Sequence, residues 1–63
     1  MTVHLRYKGE SREYTLDNLM PLADNLVLEA VARAADLDVR ELTGYTVERG
    51  ETDIVVHPQA VYG

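Results

Sequence analysis

The side chains with chemistry to offer are two histidines, a set of carboxylates, four tyrosines and one lysine, Lys8. Two imidazoles with a carboxylate can hold zinc. His4 and His57 lie in alternating stretches near the two ends of the sequence. They would face each other on the outer side of a sheet if those stretches were neighbours. No third ligand stands at a fixed spacing from them, and cysteine is absent, so the spacings match no metal-ligand pattern. Solvated strand positions are expected for both rings, and metal is not. Asp17, Asp24, Asp36 and Asp38 can be grouped as acid–base pairs. Each sits at the border of an expected helix, where a short carboxylate accepts orphan backbone amides, and capping accounts for all four without a pocket. Tyr7, Tyr14 and Tyr45 fall on inward faces, as core rings with hydroxyls at the rim. No self-contained enzyme site follows from these residues, and no cofactor.

The elements that position them are legible from periodicity. Thr2 to Lys8 alternates, with Val3, Leu5 and Tyr7 on one face and His4, Arg6 and Lys8 on the other, the period of a half-buried strand. Gly9 supplies a turn, and Arg12 to Leu16 alternates again with Tyr14 and Leu16 inward, which together predict a hairpin. Asp17 to Asp24 connects, with Leu19, Met20 and Leu22 covering the edge of the core and Pro21 placed to open a helical turn. The longest periodic stretch is Asn25 to Leu37, expected as a helix capped by Asp24 or Asn25. Its apolar stripe is Val27, Ala30, Val31, Ala34 and Leu37, with Ala30 and Ala34 allowing close approach to the sheet. Glu29 and Arg33 stand four apart, the spacing of an outer ion pair.

Asp38-Val39-Arg40-Glu41 has the form of a capping box and predicts a short further turn ended by Gly44, with Val39 and Leu42 inward. Tyr45 to Glu48 reads as a third strand, Arg49-Gly50-Glu51 as a turn, and Ile54-Val55-Val56 as a strand that is central or covered on both sides. Pro58 ends it. The expected organisation is one α+β domain over residues 1–58 and a flexible tail over 59–63. The order is β-β-α-β-β, with one main helix across a four-stranded sheet. Placing the last strand beside the first and parallel to it gives the compact β-grasp layout, which the crossover rule allows. The alternative is a plain antiparallel four-stranded sheet with the helix on one face.

Composition bounds the function. The 63 residues make a single small domain, which buries only about 60% of its unfolded surface. Eleven acidic against six basic residues give a formal charge of −5, which would repel a phosphate backbone, so nucleic-acid binding is not expected. The acidity suits a basic partner or a high-salt cytoplasm, and in the plainest reading keeps a small domain in solution. No run approaches the roughly 20 apolar residues of a membrane span. No basic region followed by an apolar stretch marks a signal peptide. A cytoplasmic protein is expected.

The last third of the sequence is more particular. Val47-Glu48-Arg49-Gly50-Glu51-Thr52-Asp53-Ile54-Val55-Val56-His57-Pro58 leads into Gln59-Ala60-Val61-Tyr62-Gly63. This resembles the end of small sulfur-carrier and ubiquitin-like proteins, among them small prokaryotic ubiquitin-like modifiers. In these a Gly-acidic turn precedes an apolar last strand, and the chain stops at glycine. The resemblance implies a β-grasp modifier or carrier whose terminal carboxylate, here on Gly63, is adenylated by a partner activating enzyme using MgATP and then passed on as a thioester. It implies that Ala60, Val61 and Tyr62 line the partner's channel, and that Lys8 is the lysine through which copies could be linked. A residue without Cβ lets the backbone thread a narrow channel. The family usually ends in two glycines, whereas Tyr62 precedes Gly63 here, as in some autophagy-type modifiers that end in an aromatic and a glycine. Two further readings stand beside this one: a small acidic, non-catalytic binding or inhibitor module acting through its sheet edge, and a self-associating structural subunit.

Overall fold

Lys8 and Gly9 reverse the chain with φ of 50° and 78°. Positive φ at both central residues is the geometry of a two-residue hairpin loop whose twist matches the flanking strands. The two strands that it joins pair from Tyr7 opposite Glu10 back to Thr2 opposite Thr15. In the computed structural model, which describes residues 1–59, these are β1 (Thr2–Tyr7) and β2 (Glu10–Thr15). They are followed by α1 (Asp24–Ala34), a 3₁₀ turn (Val39–Leu42), β3 (Thr46–Arg49) and β4 (Asp53–His57).

The sheet order is β2-β1-β4-β3. β4 lies beside β1 and parallel to it, Thr2 opposite Asp53 through Leu5 opposite Val56, while β3 pairs antiparallel with β4. This is the compact β-grasp layout, and the parallel central pair rules out the plain antiparallel sheet. At the last turn the Gly50 amide donates to the Asp53 carbonyl at 2.8 Å, and a Cβ at this position would push the Asp53 carboxylate aside.

Alternation decides which side is filled. Val3, Leu5 and Tyr7 from β1 and Ile54 and Val56 from β4 are buried, and meet Val27, Val31 and Ala32 from α1. Leu19 and Leu42 close the core from the connections, and Met20 and Leu22 pack at its edge. No polar or charged residue is buried among those described. Each fully buried Leu, Ile or Val contributes about 1.5–3 kcal/mol relative to an exposed one. The second face of the sheet is open: Arg6, Glu13 and Glu48 are exposed there and Val55 is only half-buried. The apolar run of β4 is therefore central but covered on one side.

Several local expectations are corrected. The helix begins at Asp24, with Ala23 at the N-cap and no side-chain cap, so neither Asp24 nor Asn25 caps it. It ends at Ala34, three residues early. Asp36 takes φ 59°, the Leu37 amide donates to Ala32 at 2.8 Å and the Asp36 amide to Arg33 at 3.2 Å. These two bonds form a Schellman motif, with aspartate where glycine is usual. Ala34 is exposed and Ala32 is buried in its place, because the helix sits rotated from the expected stripe. Glu29 and Arg33 form no ion pair among the described residues. The capping box at Asp38 is formed and Leu42 is buried, but Val39 is 39% exposed, since a 3₁₀ turn of four residues shows only one side to the core.

Candidate functional site

The expected chemistry lies beyond the far end of β4. β4 ends at His57, and Pro58 and Gln59 follow without regular structure, both exposed. Pro58 has no N–H to extend a ladder. Ala60, Val61, Tyr62 and Gly63, expected as the tail and the activated residue, lie outside the described residues.

Lys8 is exposed on the hairpin turn. Its ammonium is 5.3 Å from the centroid of the Tyr7 ring, and the Arg12 guanidinium is 6.0 Å from the same centroid, within the range of cation–π attraction. Tyr7 is buried, and its hydroxyl donates to Glu41. That bond first, and burial second, hold the phenol above its ordinary pKa. Glu41 also accepts from the Asp38 amide at 3.4 Å, so one carboxylate completes the capping box and ties the 3₁₀ turn to β1. Tyr45 lies 6.5 Å from Tyr7, ring centre to ring centre. Tyr7 and Tyr45 thus take the expected inward-facing role, with Tyr14 packed at the core's margin.

The two histidines lie on the open face, as expected. Alternation puts His4 and Arg6 of β1 there, with Glu13 of β2, Glu48 of β3 and Asp53 and His57 of β4. His4 Nδ1 is 3.5 Å from Glu13 and its Nε2 is 3.5 Å from Asp53. His57 Nε2 is 3.2 Å from Glu48, and its Nδ1 is 2.9 Å from the Pro58 carbonyl. Contact with that carbonyl first, and with Glu48 second, raises the His57 pKa, against an opposing effect from Arg6. The rings are held by carboxylates of neighbouring strands rather than by each other. No group of three or more histidines, cysteines or carboxylates among the described residues could hold a metal ion.

The opposite end of the sheet is held by a residue that sequence reasoning took for part of a turn. Arg49, at the end of β3, donates to the carbonyls of Met20 at 2.8 Å and Leu22 at 2.6 Å and to the Asp24 carboxylate at 2.7 Å, with Leu19 at 3.4 Å. It gathers the connection before α1 and the first turn of the helix onto the edge strand. The only signal in the sequence is that Arg49 shares the inward register of Val47.

Among the described residues no helix is long and apolar enough to cross a membrane. The chain matches no protein-family model, no curated protein and no solved structure.

Proposed function

We propose that the protein is a ubiquitin-like modifier or carrier, acting through the carboxylate of Gly63 and through no catalytic group of its own. The observation that supports this reading is the parallel β1–β4 pair in a β-β-α-β-β layout. It puts β4 at the centre of the sheet and ends it at His57, followed by Pro58 and Gln59 outside regular structure.

In the proposed chemistry the Gly63 carboxylate attacks the α-phosphate of ATP on an activating enzyme, forming an acyl adenylate and releasing pyrophosphate. A thiolate of that enzyme then displaces AMP and leaves a thioester. The partner supplies the metal and the catalytic groups. This chain supplies a rigid body for docking, with Ala60, Val61 and Tyr62 as the channel contacts. Lys8, the only lysine, is the side-chain amine through which one copy could accept another.

Intact mass after incubation with a candidate activating enzyme and MgATP tests the reading. Adenylated protein or enzyme thioester, both lost on deletion of Gly63, is the expected result. A partner that binds the shortened chain equally well, with no adduct at any time, would overturn it in favour of a plain binding module.

A further inference from the structure

The uncovered face of the sheet carries an arrangement that the proposed terminal chemistry does not use. Each imidazole there has an oxygen at both ring nitrogens: His4 faces Glu13 and Asp53, and His57 faces the Pro58 carbonyl and Glu48. A neutral imidazole has one N–H and one lone pair, so in either tautomer one nitrogen of each ring points a lone pair at an oxygen. Only the imidazolium donates in both directions.

We infer that this face holds a proton-operated latch, in which charging His57 ties the central strand β4 to the edge strand β3 through Glu48. The pairs reach across the whole sheet, from β2 through β1 to β4 at His4 and from β4 to β3 at His57. The charged groups facing the rings are Arg6 from β1, Glu13 from β2, Glu48 from β3 and Asp53 from β4. Arg6 stands beside His57, one position beyond the pair of Leu5 with Val56. With His57 neutral, Glu48 has no cation at that ring. Charging His57 sets a cation against Glu48, with the like charge of Arg6 on its other side opposing it.

The sign follows for His57, whose folded pKa is raised by the Pro58 carbonyl and Glu48. Its contribution is fully present below the unfolded value of about 6.5 and is lost as pH rises through the folded value. The device therefore works between mildly acid and neutral solution, where imidazole is the side chain that changes charge.

Thermal melts at about pH 5.5 and about pH 8 test it, because they bracket the titration of imidazole. The protein is expected to melt several degrees higher at the acid end. The His57→Gln variant should lose most of that gap. Glu48→Gln, which keeps the ring but removes its carboxylate partner, should narrow it. A gap that is absent or reversed in the unchanged protein, or that survives in the histidine variant, would overturn the latch. So would a gap untouched in the carboxylate variant, which would trace it to bulk charge. If the variants do not fold, proton NMR of the unchanged protein decides. The His57 ring should titrate above the same histidine in a short peptide, and an ordinary midpoint would overturn the proposal.

Discussion

The Arg49 guanidinium lies 2.7 Å from the Asp24 carboxylate, joining the last residue of an edge strand to the first residue of the helix. Its other bonds go to the carbonyls of the segment just before that helix. These carbonyls belong to a connection with no ladder of its own, and one planar fork satisfies several of them at once. Arg49→Ala is expected to cost about 1.5–3 kcal/mol, the range for hydrogen bonds to a charged group. Arg49→Lys should recover only part of that, since an ammonium cannot reproduce the fork. Urea unfolding of the three proteins checks both expectations.

Leu42 closes the core from the 3₁₀ turn and is fully buried. Leu42→Ala should cost about 2–5 kcal/mol. A domain of this size has about 3–9 kcal/mol in all. The variant is therefore expected to populate unfolded protein measurably at room temperature, which circular dichroism against urea would show. Val39→Ala, four tenths exposed at the same turn, should change little.

Tyr7 sets an alkaline limit. Its phenol is held above the ordinary value by the bond to Glu41 and by burial, so the fold prefers the protonated ring. That stability is present below the unfolded value of about 10 and is lost as pH rises through the folded value. Ultraviolet titration should show one tyrosine ionising after the others. Tyr7→Phe should abolish the late step and soften the fall in melting temperature above about pH 10.

Asp38 sets the acid counterpart. The Arg40 side chain first, and the Arg40 amide second, hold its carboxyl below the usual range, with the amide 2.9 Å from Oδ1. Its contribution is present above the unfolded value of about 3.9 and is lost as pH falls through the folded one. Asp38→Asn keeps a capping oxygen but removes the charge. Its melting temperature should fall less than that of the unchanged protein between about pH 5 and about pH 2.

Where the signal was local, sequence reading worked. The hairpin, the inward face of β1 and the capping box at Asp38 follow from period-two alternation, turn residues or cap spacing, whereas the adjacency of first and last strands was one of two arrangements the element order left open. The misses have different causes. Ala34 was expected inward because three-and-four spacing does not fix how a short helix is rotated about its axis. The end of the helix was hidden because aspartate rarely takes the left-handed position that Asp36 occupies. Arg49 was invisible for another reason: its partners are brought near only by the finished sheet. At the candidate site, the open-face placement of the histidines was legible, while the carboxylates that hold them depended on strand register. Gly63 and the residues leading to it lie outside the described part of the chain, so the sequence alone carries that expectation.

Val3 of β1 stands opposite Ile54 of β4 at the centre of the sheet. The strand made first on the ribosome must therefore wait for the strand made last. Until β4 has emerged, β1 holds only its hairpin partner, and an isolated hairpin is marginal in water. This domain is thus expected to stay unfolded until β4 has emerged and then to fold in one step. With an unstructured linker added after Gly63 to fill the exit tunnel, a stalled chain that carries β4 should resist proteases, and one cut back to just before Asp53 should not.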